Sequence, residues 1–159
     1  NSEMWYPRFR FAEALLIAAE AAYELGGVNK VKAVEYINRV RARGGIKELT
    51  ESTITFEHIV NEYRVEFAFE DHRWWDLKRW RLAHTVWNGV IDSPTAQMYS
   101  LFPYKVYAPG SPYDGKWAFE KSRSYMAPNA RNFTMRCYYG SIDDGWINKN
   151  PKLVKNPLQ

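Results

Sequence analysis

Apolar side chains recur every three or four positions through the first half of the chain, and pairs of glycines interrupt the pattern. This spacing predicts an amphipathic helix from about Arg8 to Leu25. The helix carries two adjacent apolar stripes, so we expect other elements to cover it on two sides. The stripes are Phe11, Leu15, Ala18, Ala22 and Leu25, and beside them Ala12, Leu16, Ala19 and Tyr23. Gly26-Gly27 suits the left-handed end of such a helix.

A second helix is expected from Asn29, a residue type that favours the N-cap position, to about Arg43, where Gly44-Gly45 follows. Its inner face would consist of Ala33, Ile37 and Val40. The two helices together have about the length of one tetratricopeptide repeat, ~34 residues. Ala21 and Ala33 are twelve positions apart, like the two small close-packing residues of that repeat. We therefore predict two antiparallel helices that touch through alanines.

A third helix is expected to begin after Thr55, its N-cap, and to run from Phe56 to about Glu70. Its inner face would consist of Ile59, Tyr63 and Phe67. Asp71-His72 is expected to break or bend the helix before it continues from Arg73 to Trp87. In this continuation the spacing predicts three buried residues, which are Trp74, Leu77 and Trp80.

The chain changes character after Asn88-Gly89. Seven of the eight prolines lie between Asp92 and Gln159, and no long periodic run occurs there. Short helices or strands are compatible with this loop-rich composition. We predict one all-α domain, residues 1–159, helical over residues 8–88 and irregular over residues 89–159. The expected architecture is an α-α superhelix of tetratricopeptide-like hairpins with a loop-rich, aromatic C-terminal segment.

Several classes of function are disfavoured by composition and motifs. The net charge of +4 is small and the charged residues are interspersed, whereas nucleic-acid binders concentrate basic residues on one face. Cys137 is the only cysteine, which excludes an internal disulfide, and His58, His72 and His84 lack metal-ligand spacing. No apolar run approaches the ~18 residues of a membrane span. We expect no metal, no cofactor and no nucleic-acid partner, and the sequence offers no positive case for an enzyme.

Acidic residues cluster along the third helix and its continuation. Glycoside hydrolysis uses paired carboxylates, but these usually converge across a cleft from separate elements rather than stacking along one helix. A structural ion-pair network is therefore the favoured interpretation, because buried charges are tolerated when they are paired and hydrogen-bonded. The predicted network comprises Arg10, Glu13, Arg41, Glu62, Glu66, Glu70, Arg73, Asp76 and Arg79.

Four segments, in order, resemble the C-terminal region of SusD/RagB proteins. They are Arg10-Phe11-Ala12-Glu13 with Ala19-Glu20-Ala21, then Ile37-Asn38-Arg39-Val40-Arg41-Ala42-Arg43, then residues 62–79 (E-x-x-x-E-F…R-W-x-D-L-x-R), and last residues 147–157 (I-N-K-N-P-K-L-V-K-N-P). Tyr63 replaces an arginine of the family pattern, Asp71 a glycine and Lys155 a glutamine. Because Asp tolerates the left-handed conformation better than most residues, we expect the helix break at Asp71 to persist.

The resemblance implies a non-catalytic lipoprotein at the extracellular face of a Bacteroidetes-type outer membrane. Such a protein would deliver oligosaccharides or other nutrients to a SusC-like TonB-dependent transporter, and its membrane attachment would be a lipid anchor upstream of this segment. This part of the chain would act mainly as helical scaffold and transporter-contacting surface. The alternative is a tetratricopeptide-like scaffold that binds a protein and no sugar.

Aromatic residues make up 16% of the chain, and such rings suit both sugar faces and protein interfaces. The exposed-ring candidates in the irregular segment are Tyr104, Tyr107, Tyr113, Trp117, Tyr125, Tyr138, Tyr139 and Trp146. The segment from Tyr113 to Trp117 joins two rings to polar groups on an expected surface turn. We predict that Tyr113, Asp114 and Trp117 contact a ligand, with packing of this loop against the helices as the alternative.

Overall fold

The computed structural model describes residues 8–123 and 127–158. The chain forms two compact units, with the boundary between Asp76 and Leu77. Its helices are α1 (Phe11–Leu25), α2 (Lys30–Arg43), α3 (Phe56–Glu66), α4 (His72–Arg79), α5 (Ala83–Val86) and α6 (Asp144–Lys149). Its strands are β1 (Tyr99–Lys105) and β2 (Trp117–Arg123), and two 3-10 turns cover Gly27–Asn29 and Met135–Tyr138. The single-domain organisation of residues 1–159 remains a prediction.

In the first unit, α1 packs against both α2 and α3, so the expectation of a helix covered on two sides is confirmed. The buried face lies where the two predicted stripes meet, at Leu15, Leu16, Ala19 and Ala22. Phe11 and Leu25, at the helix ends, are exposed. Ala21 is exposed as well, so its predicted close-packing role is wrong and its neighbours Ala19 and Ala22 are buried instead.

The predicted inner face of α2 is confirmed, since Ala33, Ile37 and Val40 are all buried. Asn29 precedes α2 at the predicted N-cap position, but its side chain makes no capping hydrogen bond. Asn29 belongs to the preceding 3-10 turn and has a helical backbone, whereas an N-cap residue is typically extended. After α2, Asn38 fixes the returning chain: its Nδ2 donates to the carbonyl of Leu49 and its Oδ1 accepts from the Leu49 amide.

Thr55 caps α3 as predicted. Its Oγ1 accepts from the His58 amide while its own amide donates to the His58 ring, which forms a capping box. The predicted inner face is also confirmed, since Ile59, Tyr63 and Phe67 are buried. The helix ends at Glu66, earlier than predicted, and a turn precedes α4. The predicted break is confirmed in that turn, where Asp71 has φ 61°.

The continuation after the break is shorter than predicted. It ends at Arg79, and Arg81 has φ 59°, a left-handed value that stops the helix. Leu77 is fully buried as expected and Trp80 is partly buried, but Trp74 is 46% exposed, so its predicted burial is wrong. Trp75 beside it is exposed too. In the second unit the core consists of Leu77, Ala83, Trp87 and Phe133, with Leu82, Val86 and Tyr138 packed against it.

The second unit also contains an antiparallel hairpin of β1 and β2, with the register Tyr99↔Arg123 to Lys105↔Trp117. The fold is therefore mostly helical, as predicted, but it is not all-α. Neither strand contains a buried residue, so neither carries the apolar alternation that reveals a half-buried strand. Among the described residues, no helix is both long enough and apolar enough to cross a membrane.

Candidate ligand-binding site

Arg10 connects the start of α1 to the end of α3. Its Nε and Nη2 donate to the two carboxylate oxygens of Glu70 at 2.8 and 2.9 Å. Its Nη1 donates to Glu66 Oε1 and its Nη2 to the Glu66 carbonyl, both at 2.8 Å. The guanidinium also lies over the ring of Phe67, 4.9 Å from the centroid. The hydrogen bond to Glu70 is the largest cause that raises the pKa of Arg10, since it stabilises the charged form.

Two further arginines bring the end of α2 to the carboxylates of α3. Arg41 Nη1 donates to Glu62 Oε2 at 2.6 Å, and its Nε and Nη2 donate to the carbonyl of Lys47. Arg43 Nη2 donates to both oxygens of Glu66 at 2.7 Å. Arg43 is not among the predicted network residues, although it is the third arginine of the quoted segment that ends α2.

The other residues of the predicted network have different environments. Burial is the main cause that lowers the pKa of Arg73, with Arg64 acting in the same direction and Asp76 opposing it. Asp76 is buried, whereas the guanidinium of Arg79 lies 4.3 Å from the centroid of the Trp80 ring. Within the described residues, Glu13 makes no ion pair.

Glu62, Glu66 and Glu70 therefore accept hydrogen bonds from arginines on neighbouring segments. Such bonds occupy the lone pairs of the carboxylates, which suits structural pairing better than contact with a substrate. Beside this network, α1 and α2 line a pocket of about 310 Å³, whose lining residues are Arg10, Phe11, Ala12, Leu15, Arg39, Val40 and Arg43. Among the described residues, no group of three or more His, Cys, Asp or Glu side chains is placed to hold a metal ion.

The three predicted ligand-contacting residues lie at the connection of the β-hairpin. Val106 donates its amide to the carbonyl of Lys116 and accepts the amide of Gly115, so the connection is closed at its base. Asp114 Oδ1 accepts the amide of Ala108 at 2.8 Å and holds the turn from within. Tyr113 and Trp117 are 66% and 63% exposed. No ring contact joins these two side chains in the described part of the chain, although Lys116 Nζ lies 5.6 Å from the Tyr113 centroid.

The other candidate rings of the second unit divide into exposed and packed ones. Tyr104, Tyr107, Tyr139 and Trp146 are exposed. Tyr138 is only partly exposed, and the expectation that it is an exposed ring is wrong: its ring contacts Phe133 with centroids 4.8 Å apart, and its hydroxyl bonds His84. Tyr125 lies outside the described residues. The hairpin also exposes Phe102 and Phe119, which are not among the predicted rings.

Comparison with known proteins places the chain in a family. The model described as the SusD family matches residues 1–158. Among curated relatives, SusD-like protein P2 of Formosa agariphila is 37% identical over 101 residues, which cover 56% of this chain and 20% of that protein. Starch-binding protein SusD of Bacteroides thetaiotaomicron is 33% identical over 107 residues, covering 63% of this chain and 18% of that protein.

Solved structures are similar over nearly the whole chain. A SusD-like protein from Bacteroides fragilis superposes with a TM-score of 0.69 at 27% identity, covering 95% of this chain and 25% of that one. Surface glycan-binding protein A from Bacteroides uniformis gives 0.53 at 26% identity, covering 95% and 27%. The chain thus spans about a fifth to a quarter of the length of these relatives. From the family match and the shared fold together, the chain belongs to the SusD family.

Proposed function

We propose that the protein is a non-catalytic component of a nutrient-uptake complex that binds glycans at the extracellular face of the cell outer membrane. The proposal draws on family membership and on two relatives, one named as a starch-binding protein and the other as a surface glycan-binding protein. Because the chain spans a small share of those relatives, the ligand and the partners belong to the proposal. The partner is a SusC-like TonB-dependent transporter, and the membrane attachment is a lipid anchor upstream of this segment.

The single observation that supports sugar binding is the ordered structure of the hairpin connection from Val106 to Lys116, which presents exposed rings. Tyr113 and Trp117 expose their rings on a backbone that hydrogen bonds hold in place. An exposed ring can stack on the apolar face of a sugar, while nearby polar groups orient its hydroxyls. Asp114 uses Oδ1 to hold the turn, and Oδ2 makes no hydrogen bond within the described residues. Asp114 thus serves the loop with one oxygen and the ligand with the other.

The helical unit is assigned the role of scaffold. Its carboxylates accept guanidinium hydrogen bonds, which favours structural pairing over catalysis. The packing of α1 on α2, with Ala19, Ala22 and Ala33 buried, supports a tetratricopeptide-like hairpin as the form of this scaffold. The function as a protein-binding scaffold without sugar is the rival of this proposal.

Titration calorimetry of the full-length protein against a panel of oligosaccharides, with analysis of products, tests the proposal. Binding without released sugar is expected, and Trp117→Ala should weaken it about fivefold, since one stacked ring contributes on the order of 1 kcal/mol. Phe102→Ala is the matched control, because Phe102 is an equally exposed ring on the other face of the hairpin.

Three results would contradict the proposal. Release of shortened sugars would indicate an enzyme. Equal losses in the Trp117 and Phe102 variants would indicate that the connection has no special role. Failure to bind any glycan, together with recovery of unrelated soluble proteins rather than the transporter in a pull-down, would favour the rival scaffold.

A further inference from the structure

The β-hairpin has two chemically different faces. Directly opposed residues of an antiparallel pair project to the same side, and successive residues project to opposite sides. The register therefore gathers one set of side chains that we name the cationic face: Tyr99, Leu101, Pro103, Lys105, Trp117, Phe119, Lys121 and Arg123. The opposite face carries Ser100, Phe102, Tyr104, Ala118, Glu120 and Ser122. One face thus has three cations and no acid, and the other has one acid and no cation.

A side-chain contact shows that this alternation is realised. Lys121 Nζ lies 3.8 Å from the centroid of the Tyr99 ring, on the neighbouring strand, as the register requires of two side chains on one face. Lys121 is attracted electrostatically by the Asp92 carboxylate but makes no ion pair with it or with any other described residue, so its ammonium remains available at the surface. Lys121 and Tyr99 therefore place an ammonium group against an aromatic ring near one end of the cationic face.

The charge of the cationic face is only partly compensated. Lys105 makes no ion pair in the part of the chain that the structure describes. Arg123 approaches Asp92, but both oxygens of that carboxylate are 3.4 Å from Nη2, and both side chains are largely exposed. Such an exposed pair contributes little and is screened by salt. The face therefore keeps a positive potential that attracts anions.

Exposed rings extend from one end of this face towards its middle. Trp117 and Phe119 are more than half exposed and follow one another on the same side of β2. At about 3.3 Å per residue, Trp117 and Lys121 are separated by about 13 Å along the strand. Lys105 lies opposite Trp117. An extended ligand along the hairpin would meet an ammonium and a ring at one end, a second ring next, and another ammonium at the other end.

We propose that the cationic face binds an oligosaccharide that carries carboxylate or sulfate groups. The rings of Trp117 and Phe119 stack on sugar faces, and the ammonium groups of Lys105 and Lys121 pair with the acidic substituents. This inference rests on the proposed function and narrows its ligand to acidic glycans. A neutral glycan of the same length would stack on the two rings but would form no ion pairs with the lysines.

The test compares ligands of equal length that differ in charge. Full-length protein is titrated with a neutral oligosaccharide, a uronate-containing one and a sulfated one, at low and at physiological ionic strength. The acidic ligands should bind more tightly, and their affinity should fall as salt rises, because salt screens exposed charges. Affinity for the neutral ligand should not depend on salt.

Charge-removing variants then locate the effect. Lys105→Gln and Lys121→Gln should each lower affinity for the acidic ligand about two- to fivefold, as expected for one exposed charge pair, and leave the neutral ligand unaffected. Glu120→Gln removes a charge from the opposite face of the same strand, and Lys152→Gln removes a cation outside the hairpin. Neither control should weaken binding of the acidic ligand.

The outcomes separate this inference from the proposed function. Equal binding of neutral and acidic ligands, unchanged in the lysine variants, would overturn the inference and leave glycan binding intact. Loss of transporter association in the lysine variants, with acidic-glycan affinity preserved, would assign the face to an acidic protein surface and overturn it as well. Absence of binding to every glycan would overturn both. A preference for the uronate or for the sulfate arm, with the lysine dependence, supports the inference and identifies the acid group.

Discussion

Arg41 and Glu62 form a largely buried ion pair between α2 and α3, with Nη1 of the arginine 2.6 Å from Oε2 of the glutamate and side-chain exposures of 13% and 5%. The same guanidinium donates to the carbonyl of Lys47, so one side chain holds the end of α2, the following segment and α3 together. Loss of one partner would leave the other charge with little water around it. Removal of one member of a buried pair typically costs about 3–5 kcal/mol.

Glu62→Gln should therefore lower the free energy of unfolding by about 3 kcal/mol, because the amide can accept the hydrogen bond but leaves the Arg41 charge uncompensated. Urea denaturation of full-length protein followed by circular dichroism measures the change. Arg43→Gln is the matched control: its guanidinium pairs with Glu66 but is mostly exposed, so the loss should stay within about 1 kcal/mol. Equal losses in the two variants would contradict the special contribution of the Arg41–Glu62 pair.

The hydrogen bond between Tyr99 and Asp92 predicts that the stability of the start of the hairpin depends on pH. The Tyr99 hydroxyl donates to Asp92 Oδ1, and this bond is the main cause that lowers the pKa of the carboxyl, with Arg123 acting in the same direction. Because the pKa of Asp92 is lower in the folded protein, its hydrogen bond stabilises the fold fully at pH values above the ordinary pKa of 3.8. This stabilisation is lost as the pH falls through the pKa of the folded state. NMR titration of the Asp92 carboxyl should show a midpoint below 3.8.

Tyr99→Phe should move that midpoint upward, while Tyr104→Phe, on the opposite face, should leave it unchanged. The same hydrogen bond raises the pKa of Tyr99 above 10.0, so in alkaline solution its contribution is lost as the pH rises through the folded value. An Asp92 midpoint that does not respond to Tyr99→Phe would show that the bond does not form in solution.

Phe69 occupies a strained position in the turn between α3 and α4. It has φ 68°, and its side chain is fully exposed. Left-handed backbone costs a non-glycine residue roughly 1–2 kcal/mol, and asparagine adopts it more readily than phenylalanine. Phe69→Asn should raise the free energy of unfolding by about 0.5 kcal/mol in urea denaturation. Val65→Asn, at an exposed position within α3, should give no gain. A clear loss of stability in Phe69→Asn would contradict the prediction and show that the Phe69 ring makes a stabilising contact in solution.

The parts of the fold that the sequence predicted correctly depend on local rules. Periodicity predicted the buried faces of α2 and α3, and residue chemistry predicted the cap at Thr55 and the break at Asp71. These features are decided by neighbours within one or two turns of the chain. Asn29 shows the limit of such rules, because the backbone of the preceding 3-10 turn removed a residue of suitable type from the capping geometry.

The features that the sequence did not reveal depend on partners distant in the chain. Tyr138 is packed because Phe133 and His84 surround it, and no local pattern identifies those partners. The hairpin strands expose both faces, so alternation could not distinguish them from loop. The cationic face follows from the register of two strands rather than from either strand alone. Trp74 has the spacing of a buried position, but exposure is decided by what packs against the helix.

The hydrogen bonds within the connection from Val106 to Lys116 affect the thermodynamics of ligand binding. Freezing a mobile loop and its side chains on binding costs roughly 0.5–1.5 kcal/mol for each rotamer-rich side chain. Here the backbone beneath Tyr113 is already ordered by Asp114 and by the amides at its base. Preorganisation of this kind lowers the entropic penalty of binding, so even a shallow surface with few contacts could hold the flexible glycan that we propose as its ligand.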